Sequence, residues 1–154
     1  MTEIKKTAVI GQPIEHSLSP VIHNFWIKKT NINAAPYEKI EVAPENFNSS
    51  LDKLIDSGYF GLNVTVPLKE LAYSRCDELA ESAKKTKSVN TLIFKDGKIH
   101  GTNTDPVGFE MSLYKEIIEK NINSKKCLVL GAGGSARAVV FALNQMFAEI
   151  SIFN

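Results

Sequence analysis

The sequence predicts an α/β fold: a mostly parallel open sheet with helices on both faces, followed by one further strand–helix–strand unit. Three observations carry this. Short apolar runs alternate with stretches of helical periodicity along nearly the whole chain. One strand pair flanks Asp96-Gly97, a dipeptide suited to a tight hairpin, which adds an antiparallel part. Polar motifs fall where an apolar run ends and a helix begins, the place where open α/β sheets build small-molecule sites.

Taken in order, Thr7-Ala8-Val9-Ile10-Gly11 reads as a buried strand. Residues 20–29 then place Val21, Ile22, Phe25 and Trp26 on one helical face. A second strand is expected over 37–42, and a helix from Pro44 with Phe47, Leu51, Leu54 and Ile55 on one stripe. Residues 60–66 read as a third strand, and Pro67 as the start of another helix. The hairpin strands are 91–94 and 98–100. A helix then presents Val107, Met111, Tyr114, Ile117 and Ile118.

Pro20, Pro44, Pro67 and Pro106 each suit a first helical position, where the amide has no intrahelical partner. Ser19 and Asp105 stand just before two of them, so a plain capping role is open to both. From Ser124 a second unit begins. It has a strand over 126–130, a turn over 131–135, a helix over 136–147 and a strand over 149–153. The expected division is a first unit at 1–105, a connecting helix at 106–123 and an incomplete βαβ unit at 124–154.

Composition narrows the function. The 154 residues are 44% hydrophobic and 23% charged, which fits one folded domain plus a fragment. A net charge of +1 without a basic stripe argues against nucleic acid as partner. Lys84-Lys85-Thr86-Lys87 reads as a solvated helix end. No apolar run approaches the roughly 18 residues of a membrane span, and the N-terminus lacks the apolar core of a signal peptide. Cys76 and Cys127 are far apart and read as reduced thiols, which points to a cytoplasmic protein. His16, His23 and His100 have no metal-ligand spacing, and no metal site is expected.

Gly131-Ala132-Gly133-Gly134-Ser135-Ala136 follows a strand and opens a helix, with the G-x-G-x-x-G/A spacing of a dinucleotide-binding (Rossmann) turn. Asn154, after the second strand of that unit, is uncharged and does not repel a 2′-phosphate, which favours NADP over NAD. Ser17 and Ser19 lead into a helix, where two hydroxyls and the dipole can hold a carboxylate. Lys69 stands in a first helical turn and, within a cleft, can exchange protons with a substrate hydroxyl, with Asp105 to orient it. Asn63, Thr65, Asn90 and Asn103 either bond substrate hydroxyls or close loops.

Ser-Leu-Ser-Pro at 17–20, Asn-Val-Thr-Val-Pro-Leu-Lys at 63–69, Val-Asn-Thr at 89–91, Gly-Thr-Asn-Thr-Asp at 101–105 and the glycine turn at 131–136 occur in one order. With them the chain resembles the shikimate dehydrogenases along essentially its whole length. The resemblance implies NADP-dependent interconversion of 3-dehydroshikimate and shikimate, in aromatic amino-acid biosynthesis. It implies that Ser17 and Ser19 hold the substrate carboxylate and that Thr65, Asn90 and Asp105 contact ring hydroxyls, supported by Asn63. It implies that Lys69 transfers the proton with Asp105 as partner, and that residues 131–136 and Asn154 bind NADP. Asn154 resembles the first residue of the family's Asn-Arg-Thr phosphate-binding segment. A chain ending there is expected to be nearly inactive alone. Its open strand edges leave pairing into a homodimer, or with a complementing chain, open. A non-catalytic shikimate-binding module and a quinate-active enzyme of the same fold are the competing readings.

Overall fold

The computed structural model describes residues 4–120, 126–144 and 149–154. Ser124 and Phe147, expected as unit and helix boundaries, lie outside the described residues, as does the side chain of Ile118. The first unit runs β1 (Lys6–Gly11), α1 (Ser19–Thr30), β2 (Glu38–Glu41), α2 (Phe47–Asp56), β3 (Tyr59–Val64), α3 (Lys69–Arg75), β4 (Glu78–Leu79), α4 (Glu81–Thr86), β5 (Thr91–Lys95) and β6 (Lys98–Thr102). These strands form one six-stranded sheet in the order β2-β1-β3-β5-β6-β4. All neighbours are parallel except where β5 meets β3 and β6.

That single reversal is local in origin. Asp96 and Gly97 both take positive φ, 53° and 70°, as a two-residue hairpin turn requires. The two-residue edge strand β4 was not foreseen, because Glu78-Leu79 is too short to show a period.

Strand alternation divides the core. Ala8 and Ile10 of β1, Leu62 and Val64 of β3, and Leu92 of β5 face α2, α3 and α4 across the main core, with Phe47, Leu51, Ala72 and Ala83. Val9 faces the other way, towards Tyr37, Ile14 and Ile27 beneath α1. Helices thus cover both faces.

Two helical stripes lie largely in solvent. Val21, Ile22, Phe25 and Trp26 are exposed, Trp26 by 52%, and α1 buries no residue fully. The reason is that α1 docks through its polar side. Asn24 accepts the Tyr37 backbone N–H at 2.8 Å and donates to its carbonyl at 3.0 Å. His23 stacks on the Tyr37 ring, 4.2 Å between centroids and 9° from parallel. Likewise α5 (Asp105–Glu119) exposes Val107, Met111 and Tyr114. Phe109, Leu113 and Ile117 are half-buried instead, and the helix lies against α6 (Gly134–Leu143). Its sequence carries two apolar stripes, and contact with α6 selects the second.

Helix starts also shift. Pro20 and Pro106 sit in first helical turns, but Pro44 opens a 3₁₀ turn ahead of α2, and Pro67 precedes α3 by two residues. The second unit is β7 (Lys126–Leu130), α6 and β8 (Glu149–Phe153), a parallel pair with its crossover helix. Among the described residues no helix is long and apolar enough to cross a membrane, and no group of three or more His, Cys, Asp or Glu could hold a metal.

Candidate active site

One edge of the six-stranded sheet gathers the polar motifs. β1, β3 and β6 run the same way and end there at Gly11, Val64 and Thr102. The reversed β5 begins at that same edge, so Asn90, one residue before it, arrives beside residues that follow β3 and β6. Asn63 pairs with Thr91, and Thr91 with Thr102. The first two loops are tied by backbone: Thr65 N–H donates to Ile10 O at 2.9 Å, and Gln12 N–H to Val66 O at 3.0 Å. Only glycine suits position 11, since a Cβ there would collide with the Thr65 side chain and lie 2.9 Å from Val66 O.

Lys69 is the first residue of α3, and its carbonyl accepts the Val89 N–H at 2.9 Å, which draws the 86–90 loop alongside. Its Nζ lies 2.5 Å from Asp105 Oδ2, with side chains 11% and 30% exposed. Water screens so sheltered a pair far less than a surface one. The second carboxylate oxygen accepts Asn90 Nδ2 at 2.7 Å. As the first residue of α5, Asp105 also sits at the end of a helix dipole that favours negative charge.

Asn103 fixes the approach to that carboxylate. It is 1% exposed, donates to Thr86 Oγ1 and Ser88 Oγ at 3.0 and 2.8 Å, and accepts the Asp105 N–H at 3.0 Å. Of the two roles open to it from sequence, Asn103 closes a loop. Thr86, expected within a solvated helix end, is buried for this contact, while Lys84, Lys85 and Lys87 remain exposed around it.

Asn63 stands inside the same network. Its Oδ1 accepts the Tyr37 hydroxyl at 2.7 Å, and its Nδ2 donates to Thr91 Oγ1 at 3.1 Å and Asn90 O at 3.4 Å. Its polar atoms are turned to the protein. Thr91 and Thr104 both bond Asn90, and sequence reasoning missed their part although both lie inside motifs it singled out. Tyr37 carried no signal beyond heading an apolar strand.

Ser17, Ser19 and Thr65 are half-buried at the same edge. Ser17 Oγ accepts the Ser19 N–H at 3.3 Å. Ser19 does not cap α1: it is the first helical residue, the cap position is Leu18, and no side chain bonds there. Among the described residues no hydrogen bond joins the side chains of Ser17, Ser19 or Thr65 to the Lys69–Asp105 network.

Across from Lys69 lies the glycine turn. Val66, Pro67, Lys69 and Glu70 on one side, and Leu130, Gly131 and residues 133–136 on the other, line a cleft of about 410 Å³. Lys69 Nζ reaches Ser135 Oγ at 3.5 Å, and Arg137 pairs with Glu70 at 3.2 Å at the rim. Gly131 takes φ 104°, which other residues adopt only with strain. A Cβ on Gly131 or Gly133 would meet nothing within 4 Å, so backbone lies open to an approaching group. Ala132 and Gly134 continue the turn, Ala136 follows in the first turn of α6, and Asn154 lies exposed just past β8.

Residues 9–92 match the model of the shikimate dehydrogenase substrate binding domain. The chain belongs to the shikimate dehydrogenase family. It is 45% identical over 147 residues to the shikimate dehydrogenase (NADP(+)) of Pelagibacter ubique, covering 95% of this chain and 54% of that protein. The crystal structure of the Aquifex aeolicus shikimate dehydrogenase superposes with a TM-score of 0.88 at 39% identity, covering 99% of this chain and 56% of that one. The Thermus thermophilus shikimate 5-dehydrogenase, solved with NADP(H) and shikimate, gives 0.81 at 33% identity, covering 97% of this chain and 55% of that one. The chain thus spans about half the length of the shikimate dehydrogenases it matches.

Proposed function

We propose that this chain carries the substrate pocket, and the first part of the cofactor site, of an NADP-dependent shikimate dehydrogenase that interconverts 3-dehydroshikimate and shikimate. The observation that carries the reading is the sheltered Lys69–Asp105 pair at the mouth of the cleft, with Ser135 of the glycine turn 3.5 Å from the lysine. On this reading residues 1–105 hold substrate, 106–123 connect, and 124–154 begin the cofactor unit.

The residues present fit a dinucleotide. Open backbone at Gly131 and Gly133 leads into the N-terminus of α6, whose first amides have no intrahelical acceptor and favour a phosphate. When bound, NADP(H) supplies or accepts the hydride. Lys69 donates a proton to the carbonyl oxygen during reduction and receives it from the hydroxyl during oxidation. Asp105 holds the ammonium in place and, with Asn90 and Thr65, orients the ring hydroxyls. Ser17 and Ser19 hold the carboxylate, and Asn63 supports from behind. Arg137–Glu70 bridges the two sides of the cleft at its rim.

The half-buried free thiols Cys76 and Cys127 agree with a reducing, cytoplasmic setting. The bare apolar face of β7–β8 supports pairing with a second copy or a complementing chain, which sedimentation would detect as a mass above 17.0 kDa. Calorimetric titration of the chain with shikimate, and separately with NADP⁺, tests the reading. Saturable one-to-one shikimate binding, abolished in Lys69→Ala, is expected. Absence of shikimate binding by the folded chain would overturn it.

A further inference from the structure

The five motifs leave Tyr37 out, yet it begins an unbroken path to the reacting pair. Its ring is clamped by the His23 stack and its backbone by Asn24, so α1 fixes where the hydroxyl points. Only 5% of the residue is exposed, and its hydroxyl is spent on Asn63 rather than on solvent. A phenol beside an amide oxygen has to donate. That sets the Asn63 amide, whose Nδ2 then faces Thr91 Oγ1. Having accepted one proton, Thr91 donates its own to Asn90 Oδ1 at 2.9 Å. That oxygen also takes the Thr104 N–H at 3.1 Å, which leaves Asn90 Nδ2 for Asp105.

We propose that Tyr37 is a positioning residue that acts through Asn63, Thr91 and Asn90 on the Asp105 carboxylate, and so on Lys69. Every bond along the path donates in the same sense, from the phenol to the carboxylate. Bonds aligned this way polarise one another, and each fixes the rotamer of the next. Both ends hold the sense of the chain. The carboxylate can only accept, and burial raises the Tyr37 phenol above its ordinary value, which keeps it a donor. A reversed Asn63 amide would offer Thr91 an acceptor, draw its proton away from Asn90 and release Asn90 from its set orientation. The role in substrate binding rests on the reading of Lys69 and Asp105 given above. The wiring itself does not.

Tyr37→Phe removes one oxygen and keeps the stacked ring. The test reads the side-chain amide resonances of Asn63 and Asn90 in ¹⁵N-labelled chain, together with shikimate affinity by calorimetry. Both resonances are expected to move, although Tyr37 touches only Asn63. Shikimate affinity is expected to fall about tenfold, roughly 1.4 kcal/mol. Because the effect passes through Asn63, the double variant Tyr37→Phe/Asn63→Ala is expected to bind as weakly as Asn63→Ala alone.

An unmoved Asn90 resonance would overturn the proposal, as would a double variant whose loss is the product of the two single losses. If the unaltered chain binds no shikimate, the functional reading fails, and the Asn90 resonance still decides the wiring. Thr91→Val interrupts the path without touching Tyr37, and stands in if Tyr37→Phe does not fold. It is expected to move the Asn90 resonance and weaken binding by a similar factor, and no change in either would count against the proposal.

Discussion

The six-stranded unit and the two-stranded unit are built from the same kinds of residue and differ in what they cover. In the first, β1, β3 and β5 are flanked by paired strands on both sides, and Leu62, Val64 and Leu92 are almost fully buried. In the second, β7 and β8 pair only with each other among the described residues, and Leu128, Leu130 and Phe153 share one exposed face, Phe153 being 70% exposed. Parallel sheets are normally covered on both faces, and a two-stranded one has little stability of its own. The polar chemistry divides in the same way. Lys69, Asp105, Asn90 and Asn63 are already locked to one another, whereas the backbone at Gly131 and Gly133 lies open. A hydrogen-bonded side-chain network and an open glycine turn lie on either side of a single cleft.

The contrast is most easily broken by stability. Leu92→Ala, in a central strand, is expected to cost about 2–5 kcal/mol in urea unfolding. Leu128→Ser, on the bare face of β7, is expected to change it by no more than about 0.5 kcal/mol. Equal losses would mean that both sheets are covered in solution.

Next comes the loop that carries the carboxylate. Asn103→Ala takes a partner from the buried Ser88 hydroxyl and one of several from Thr86, and frees the Asp105 N–H. It is expected to cost about 1–3 kcal/mol by thermal or urea unfolding, with weaker shikimate binding alongside. Undiminished stability would remove Asn103 from the scaffold.

Binding sharpens the comparison further. Asp105→Asn is expected to weaken shikimate binding tenfold or more, about 1.4 kcal/mol, while Ser135→Ala across the cleft stays within about twofold. Calorimetry that found the reverse order would place the substrate against the glycine turn.

The smallest effect is a pH dependence confined to α1. Burial lowers the His23 pKa below its ordinary 6.5, so the folded state favours the neutral ring and the unfolded chain takes up the proton first. The His23 contribution is therefore full above about pH 6.5 and is lost as pH falls below it. The thermal midpoint of the chain is expected to drop relative to that of His23→Phe over that range, and parallel curves would contradict it.

Much of this was legible in the sequence. Residues 126–130 and 149–153 read as the strands they are, and the Asp96-Gly97 hairpin follows from its turn chemistry alone. Lys69, Asp105 and Asn90 were legible because helix starts and strand ends are marked by Pro, Asp and Asn. The stripes on α1 and α5 were legible as shared faces and not as exposed ones, because periodicity says which residues share a face, not what that face meets. Polar Asn24 and His23 outcompete Phe25 and Trp26 for the sheet because they satisfy the backbone and ring of Tyr37, an arrangement 13 residues apart that no local pattern encodes. For the same reason the path from Tyr37 to Asp105 stays hidden until the strands are in register.

The most direct test is hydrogen exchange of the whole chain with and without shikimate. Slow exchange is expected in β1, β3 and β5, faster exchange in β7 and β8, and added protection on shikimate binding at residues 17–19, 63–69 and 88–105 alone. Uniform protection of both sheets, or no change at those residues with shikimate in excess, would contradict it.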